Sequence, residues 1–344
     1  MSDDAQVPVV SVVIANHNGS AALRRTIPTV LGQQGVTLAD VTLVDNQSTD
    51  DSVAMVKENF PTVRILQTGD NRGPNVARNL GIRHAAAELV LVMDNDVALA
   101  PDYARRMADM LTEDAAAGSA GGKVVLYDEP YVVQYNGADI HFAGEVRLRS
   151  PWATGRAKAV TVPAGAAMFK KSLVEKVGWF DEDFVFGWED GDLAFRLSLA
   201  GHCSLVDSEA LAYHQGGKRS SRWVFYQVRN RWWFARKNFH KRTFVLCLPA
   251  IMFLQLCAAM LFLFKGQGGA ALRGNLEGLL NRDIRRKHLE VQKLRRVPDR
   301  DLLCGDRLTV FSGVVETLPG RIIAGAVSGL FRLYWLIIRP LLKR

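Results

Sequence analysis

Residues 89–97 read LVLVMDNDV, an apolar run that ends in two carboxylates two positions apart. The run 89–93 is typical of a strand that is buried on both faces of a parallel sheet. Asp94 and Asp96 come at the end of this strand, where a charged group needs a partner outside the strand. The stretch therefore predicts a buried α/β sheet with a polar site at its edge.

The chain on the N-terminal side of this strand alternates between short apolar segments and longer helical ones. Predicted strands cover residues 7–16, 40–48, 63–68 and 89–96, and predicted helices cover residues 19–33, 50–60 and 73–86. Strands rich in Val, Ile and Leu that alternate with helices indicate an α/β fold. We expect a mostly parallel sheet with helices on both faces.

Polar side chains collect where these predicted strands end. Asn16 follows the first strand, Asp45 and Asn46 follow the second, and Asp94 and Asp96 follow the fourth. The carboxyl ends of parallel strands meet at one edge of a sheet, and open α/β sheets bind their ligands in the crevice there. These residues are therefore candidates for a binding site.

Composition fits a packed protein with an anionic partner. The chain has 344 residues, 48% hydrophobic and 23% charged, and a net charge of +8. Such a composition excludes global disorder. The segment 229–242, RNRWWFARKNFHKR, contains no acid. We expect it to meet lipid headgroups or nucleic acid.

Cysteine usage and the first residues indicate a reducing compartment. The cysteines at positions 203, 247, 257 and 304 lie far apart, without the spacing of a zinc site or a disulfide framework. The first eight residues, MSDDAQVP, are acidic and polar, unlike a signal peptide. We therefore expect the catalytic part in the cytoplasm.

The last third of the chain changes character. Residues 243–264 carry no charge and are long enough to cross a bilayer, and a second apolar stretch, 322–338, carries Arg332. The strongly basic segment 282–300 lies between them, and a simple span at 243–264 would place it outside the cell. An interfacial or re-entrant helix bent at Pro249 is favoured. A span with an exceptional loop and a buried helix of a soluble domain stay open.

These features divide the chain into three parts. Residues 1–8 form an N-terminal tail, residues 9–238 the α/β domain with the candidate site, and residues 239–344 a helical, membrane-associated region. The basic residues on both sides of the apolar helix then face an anionic, cytoplasmic lipid surface.

The DND triplet has two interpretations. Carboxylates at positions i and i+2 of an extended backbone point the same way, so Asp94 and Asp96 together could hold a divalent cation and a sugar hydroxyl. The alternative is a polar turn that closes the strand, which is the better interpretation of such a triplet alone. A metal site needs further ligands.

Two downstream segments supply candidates. Residues 189–201, EDGDLAFRLSLAG, predict a helix with Glu189 and Asp190 in its first turn, where a fixed carboxylate could act as a general base or merely complement the helix dipole. His214 follows a short strand, and a lone histidine is usually structural. Residues 216–219, GGKR, fit close contact with phosphate or a flexible loop.

Together these segments resemble the family 2 glycosyltransferases with the GT-A fold, especially rhamnosyltransferase-like members. The resemblance covers residues 8–238 and rests on six motifs in the same order: VVIANHNG at 12–19, LVDNQSTDDS at 43–52, DNRGPNVARNLGI at 70–82, LVMDNDV at 91–97, GWEDGDLAFRLSLAGH at 187–202 and YHQGG at 213–217. The motifs are specific for the family and not for the donor sugar.

The resemblance implies a role for each matching residue. A nucleotide-sugar site is implied at Asn16, Asp45, Asn46, Asn71, Gly73, Asn75, Arg78, Asp94, Asn95 and Trp188. Within it, Asp45 matches the acid that recognises the base, and Asp94 the acid that contacts the ribose. Trp188 would offer a stacking face to a sugar ring.

The same resemblance implies the metal and the catalytic groups. Asp96 matches the metal ligand, Asp94 lies beside it, and His214 matches an extra ligand of some members, so we expect Mg²⁺ or Mn²⁺. Asp190 matches the catalytic base, and Glu189 is expected to position the acceptor or the donor. A single carboxylate base favours direct displacement with inversion at the anomeric carbon.

The expected function is therefore transfer of a sugar from a UDP- or dTDP-sugar, with dTDP-rhamnose among the candidates, to a hydroxyl of a lipid-linked or cell-envelope glycan. Two departures qualify it: Asn46 replaces a second acid of the family, and the QxxRW motif of processive synthases is absent at 228–233. Addition of one or a few sugars fits better than polymerisation. An inactive nucleotide-sugar-binding scaffold and a nucleic-acid-binding protein that uses residues 229–242 are the alternatives.

Overall fold

The computed structural model describes residues 7–216, 221–306 and 318–342. Their backbone divides into two compact units. The sheet unit comprises the described residues of 1–137, 149–185 and 202–218, and the helical unit those of 138–148, 186–201 and 219–344. Most of the predicted tail, and the Gly217, Lys218 and Arg219 of the expected phosphate-contacting segment, lie outside the described residues.

The strands of the sheet unit follow the apolar runs of the sequence. They are β1 (Val9–Asn16), β2 (Thr37–Asp45), β3 (Arg64–Gln67), β4 (Leu89–Asp94), β5 (Val97–Leu99), β6 (Ala117–Leu126), β7 (Val133–Tyr135), β10 (Arg156–Ala159), β11 (Ala166–Lys170) and β12 (Cys203–His214). Every residue of the run 89–93 is buried, as the sequence predicts.

These strands form one mixed sheet in the order β10-β12-β6-β11-β4-β1-β2-β3, with β5 on β12 and β7 on β6. Strands β4, β1, β2 and β3 are parallel, which confirms the predicted parallel core. The parallel register pairs Asn16 with Asp45 and Ala15 with Asp94. Strand β11 runs antiparallel between β4 and β6, and the sequence does not predict it.

The helices of the sheet unit connect the strands. They are α1 (Ser20–Leu31), α2 (Ser52–Asn59), α3 (Pro74–His84), α4 (Tyr103–Glu113) and α5 (Lys171–Lys176). Helix α1 places Leu23, Ile27 and Val30 in the hydrophobic core, at the spacing of one helix face. The core thus fixes where each strand ends, and hence where the polar side chains lie.

The helical unit contains a small sheet and a set of longer helices. Its strands are β8 (Ala138–His141), β9 (Glu145–Leu148) and β13 (Leu303–Cys304), and its helices are α6 (Glu189–Leu199), α7 (Ser221–Asn238), α8 (Lys241–Phe264), α9 (Gly268–Leu280), α10 (Ile284–Leu294), α11 (Asp299–Leu302) and α12 (Leu318–Ile338), followed by a 3₁₀ turn at Arg339–Leu341. Strand β8 pairs with β9 antiparallel and with β13 parallel.

The basic segment 229–242 is internal over most of its length, so Arg229, Arg231 and Lys237 do not form part of the surface expected for an anionic partner, whereas Lys241 and Arg242 at its end are exposed. Arg229, Arg231 and Lys237 are each at most 6% exposed. They pair with Glu277, Glu145 and the carboxylate of residue 192, respectively. A buried charge requires a partner, and these acids lie far away in sequence, so the local composition does not reveal them.

Helix α8 contains the uncharged stretch. Among the described helices it alone is long and apolar enough to cross a membrane, and 28% of its apolar stretch is buried inside the protein. The helix continues without interruption through Pro249. Length and composition therefore fit a span or an interfacial helix, and both fit the apolar character that the sequence predicts.

Candidate functional site

Asn16 is the centre of a buried polar network at the carboxyl edge of the sheet. It ends β1 with 1% exposure, and its side-chain nitrogen lies 3.1 Å from Asp45 Oδ1, from Ser48 Oγ and from Ser52 Oγ. The Asn95 side chain donates to Asn16 Oδ1 at 2.7 Å. The network ties together the ends of three parallel strands, as the sequence predicts for this edge.

Asp45 is an acceptor inside this network. Its carboxylate is 1% exposed and also accepts the Ser48 backbone N–H at 3.2 Å. Its position beside Asn16 agrees with the predicted edge, whereas its burial gives it a structural role in shaping the loop after β2. Recognition of a nucleotide base by Asp45 stays a prediction.

Asn46 connects this loop to the start of α3. Its side-chain nitrogen donates to Asn71 Oδ1 and to the Gly73 carbonyl, both at 3.0 Å, and its Oδ1 accepts from Thr68 Oγ1 at 3.0 Å. Gly73 has φ +105°, which favours glycine, and a Cβ atom there would lie 3.0 Å from Val185. An amide at position 46 supplies a donor that an aspartate could not, which accounts for this departure from the family pattern.

Arg78 links α3 to the end of β4. The guanidinium is 2% exposed, donates to Asn75 Oδ1 at 3.0 Å and to Asp94 Oδ1 at 2.7 Å, and lies over the Phe180 ring. The Asn75 side chain in turn donates to the Asp181 and Phe184 carbonyls. Asp94 is therefore held by a buried cation while its side chain stays 36% exposed.

The DND triplet does not continue the strand, so the expectation that Asp94 and Asp96 point the same way on extended backbone is wrong. Strand β4 ends at Asp94, Asn95 and Asp96 form a turn, and β5 begins at Val97. Short polar side chains stabilise such turns, which was the open alternative. The turn gives the two carboxylates different partners.

Asp96 is paired with His214. The His214 Nε2 atom, at the end of β12, lies 3.3 Å from Asp96 Oδ2, and its Nδ1 atom lies 2.7 Å from Gln134 Oε1. The amide oxygen of Gln134 can only accept, so Nδ1 carries a proton and Nε2 faces the carboxylate. The hydrogen bond to Asp96 raises the pKa of His214. Gln134 gave no signal in the sequence.

The Asp96–His214 pair fits one side of a metal site. An imidazole nitrogen and a carboxylate oxygen are both ligands for Mn²⁺, and a ligating histidine commonly donates its second N–H to an acceptor, as His214 does to Gln134. Within the described ranges, no group of three or more His, Cys, Asp or Glu side chains could hold a metal. Asp94 is engaged by Arg78 instead.

Trp188 lies in the helical unit at the start of α6. Its ring is 5% exposed and packs against Phe234, with ring centroids 4.3 Å apart. The prediction that this ring offers a stacking face to a sugar is therefore not met, because the ring is turned into the protein. The backbone of Trp188 is left-handed, with φ +72°. Trp188 thus supports the segment that carries Glu189 and Asp190.

Glu189 and Asp190 occupy the first turn of α6, as the sequence predicts. Both are partly exposed. The N-terminus of a helix favours the ionised form of a carboxylate, since the unpaired backbone N–H groups carry partial positive charge. An ionised, accessible Asp190 has the chemistry of a general base.

Asp192, two residues later, is the buried anchor of this turn. It is fully buried and accepts from Arg196 at 2.7 Å, from Lys237 Nζ at 2.8 Å and from Asn238 Nδ2 at 2.9 Å. The sequence shows Asp192 only as another first-turn acid. Its partners on α7 lie more than forty residues away and could not be predicted.

Asn230 of α7 holds the loop that leads into α6. It is fully buried, and its side-chain nitrogen donates to the Phe186 carbonyl at 3.0 Å and to the Gly187 carbonyl at 2.8 Å. Gly187 and Trp188 both have positive φ, so two neighbouring residues of this loop adopt the left-handed region. Helix α7 therefore fixes the segment before Asp190.

The predicted residues fall into two groups. The sheet unit brings together the residues at its carboxyl edge, which are Asn16, Asp45, Asn46, Asn71, Gly73, Asn75, Arg78, Asp94, Asn95, Asp96 and His214. The helical unit holds Trp188, Glu189 and Asp190 in one segment.

Comparison with known proteins shows similarity to glycosyltransferases. Residues 11–178 match the model of glycosyl transferase family 2. The chain is 30% identical to the succinoglycan biosynthesis protein ExoO of Rhizobium meliloti over 227 residues, 61% of each protein. It is 28% identical over 203 residues to the N-acetylglucosaminyl-diphospho-decaprenol L-rhamnosyltransferase of Mycobacterium tuberculosis, 51% of this chain and 66% of that protein. Each match spans less than two thirds of the relative's own length.

Solved structures show the fold. The mannosyltransferase PcManGT of Pyrobaculum calidifontis, in complex with GDP-Man and Mn²⁺, superposes with a TM-score of 0.56 at 18% identity, covering 98% of this chain and 88% of that chain. Its likeness confirms an α/β fold of a mostly parallel sheet and flanking helices. Residues 11–178 therefore match a glycosyl transferase family 2 domain, and the chain has the GT-A fold.

Proposed function

We propose that the protein is an inverting, metal-dependent glycosyltransferase that moves a sugar from a nucleoside-diphosphate sugar to a hydroxyl of a lipid-linked or cell-envelope glycan. The observation that carries the proposal is the separate pairing of two neighbouring carboxylates within a family 2 domain. Asp94 is held by Arg78, and Asp96 faces His214. Because the two carboxylates have different partners, they can bind different parts of one donor molecule.

The donor is held at the edge of the sheet unit. Asp94 keeps one oxygen on Arg78 and presents its exposed part to a ribose hydroxyl, which an ionised carboxylate accepts from. Asp96 and His214 hold the divalent cation, and the imidazole favours Mn²⁺ over Mg²⁺ because Mg²⁺ prefers oxygen ligands. When bound, the cation neutralises negative charge on the departing diphosphate.

Asp190 acts on the acceptor. Its carboxylate takes the proton of the acceptor hydroxyl as that oxygen attacks the anomeric carbon of the donor sugar. The bond between this carbon and the diphosphate oxygen breaks with its electron pair going to the diphosphate. One displacement inverts the anomeric centre, and Glu189 helps to position the reactants.

One observation supports the proposed acceptor, and another supports the proposed location in the cell. The mycobacterial relative is named for a lipid-linked diphosphate acceptor, which favours an acceptor of that class. The apolar helix α8 favours a protein that works at the cytoplasmic face of a membrane. A UDP- or dTDP-sugar, dTDP-rhamnose included, is the donor that we propose.

A donor panel tests this proposal. The full chain in detergent is incubated with UDP-, dTDP- and GDP-sugars, and nucleotide release is measured with and without a chelator. We expect release from one donor class, loss of release with chelator, and recovery with Mn²⁺. An inverted product linkage, read by NMR, completes the prediction. Donor binding without any release would favour the inactive scaffold instead.

A further inference from the structure

Helix α9 is amphipathic in the reverse of the usual sense. Its buried residues are the small ones, Ala271, Gly274 and Gly278. Its leucines are exposed: Leu272 by 60%, Leu276 by 49%, Leu279 by 47% and Leu280 by 71%. A helix of a soluble domain normally turns its large apolar side chains toward the protein. Here they all point away from it.

This orientation is fixed by close packing of α9 against α7. A Cβ atom at Gly274 would lie 2.7 Å from the Phe225 carbonyl oxygen, and one at Gly278 would lie 2.7 Å from the Trp232 ring. Trp232 Nε1 also donates to Asn275 Oδ1 at 2.8 Å. Larger residues would not fit this contact, so α9 cannot rotate to bury its leucines without losing it.

The four leucines form one continuous row. At about 100° per residue, positions 272, 276, 279 and 280 fall within an arc of about 100° on the helix. Helix α8, which packs on α9, exposes further apolar side chains along its length: Met252, Phe253, Leu256, Met260, Leu263 and Phe264. Single exposed leucines are common, whereas a row of this length marks a contact surface.

Positive charge accompanies this row. Arg273 lies within α9 and is exposed. Arg282 follows the helix, Arg285 and Arg286 begin α10, and all three are exposed, with Asp283 as the exposed acid among them. Glu277, the acid of α9, is paired with Arg229 of α7. Exposed apolar side chains with arginines beside them are the composition of helices that lie in the headgroup region of anionic membranes.

We propose that α9 is a membrane-contacting helix whose leucine row, Leu272, Leu276, Leu279 and Leu280, inserts into an anionic lipid surface. This deepens the proposed membrane location and adds a helix that the apolar stretches of the sequence do not include. The leucines displace water at the level of the acyl chains, and the neighbouring arginines contact lipid phosphates. A protein partner would require no excess of basic residues beside the row.

Vesicle binding of the full chain tests the proposal. Leu276→Asp combined with Leu280→Asp is compared with Leu31→Asp, which changes an exposed leucine of α1 in the sheet unit. We expect the double variant to bind phosphatidylcholine vesicles containing phosphatidylglycerol at least about 100-fold more weakly, since the transfer of two leucine side chains from water into lipid is lost. The control should bind as the wild type does. Nucleotide release in detergent should be unchanged in both, which separates this proposal from the enzymatic one.

A second measurement is decisive if α8 alone holds the chain on vesicles. Leu276→Cys and Leu31→Cys are labelled with a membrane-impermeant maleimide on vesicle-bound protein, and peptide mass spectrometry reads each position separately from the native cysteines. We expect protection at position 276, free labelling at 31, and no dependence on the protein-to-lipid ratio. Equal labelling at both positions would overturn the proposal. Protection that fades as protein is diluted into lipid would also overturn it, because a second copy of the chain would then cover the row.

Discussion

The carboxylate of Asp192 is fully buried and accepts a hydrogen bond from Lys237 Nζ at 2.8 Å. Asp192 stands two residues after the proposed base, Asp190, in the first turn of α6. The pair therefore connects the segment proposed to carry the chemistry to α7. The strength of the Asp192–Lys237 interaction therefore determines how rigidly the first turn of α6 is held against α7.

Loss of the acid should cost more than loss of the lysine. Asp192→Asn removes the fully buried carboxylate that pairs with Arg196 and Lys237, so we expect a loss of about 3–5 kcal/mol of unfolding free energy. Lys237→Met should cost less, because Arg196 still pairs with Asp192. Thermal unfolding in detergent measures both variants. Equal losses would show that the two cations do not share the carboxylate as described.

Asn230 should affect turnover rather than donor binding. Asn230→Asp keeps the size and the acceptor of the side chain, which takes a hydrogen bond from Arg229, but removes the donor to the Phe186 and Gly187 carbonyls. We expect kcat to fall by about tenfold or more, since small displacements of a catalytic group are costly. The donor KM should change little. A change confined to KM would contradict this positioning role, and Asn230→Ala serves as the control without a new charge.

Gln134 should tune the metal affinity through His214. Gln134→Leu removes the acceptor for the His214 Nδ1–H, and we expect the affinity for Mn²⁺ in the presence of nucleoside diphosphate to fall by about 10–100-fold. Calorimetric titration of Mn²⁺ measures the effect. Gln134→Glu keeps an acceptor and should retain the affinity. The same affinity in Gln134→Leu would remove His214 from the proposed ligands.

His141 should make the helical unit sensitive to acid. Burial lowers the pKa of His141 from its ordinary 6.5 to about 3, so the folded chain keeps this residue neutral. The unfolded chain binds a proton below pH 6.5, so stability is lost as the pH falls from 6.5 toward 3. Between pH 7 and pH 5 we expect a loss of about 2 kcal/mol from this group. In His141→Asn, the loss of unfolding free energy between pH 7 and pH 5 should be smaller by this amount. The same pH dependence of stability in both proteins would contradict this role of His141.

The sequence predicted what depends on local pattern. The run 89–93, the alternation of strands and helices and the polar residues at strand ends are all short-range signals. They were enough for the parallel core and for the cluster around Asn16. The sequence did not decide whether Asn95 and Asp96 form a turn, because two carboxylates at this spacing fit either a strand end or a turn.

What the sequence did not predict depends on contacts between distant residues. Lys237 and Arg231 looked like parts of a basic surface, since their acidic partners lie 45 and 86 positions away. Gln134 beside His214 and the burial of Trp188 against Phe234 are of the same kind. Tertiary packing determines these contacts, and the periodicity of the sequence contains no signal for them.

The transfer rate of Asp190→Asn tests the central claim most directly. The substitution keeps the size of the side chain and removes the base, and Asp183→Asn, on an exposed carboxylate outside α6, is the control. Under single-turnover conditions with the preferred donor and acceptor, we predict a rate lower by about 100- to 10,000-fold with an unchanged donor Kd. Transfer by Asp190→Asn at the wild-type rate would contradict the account.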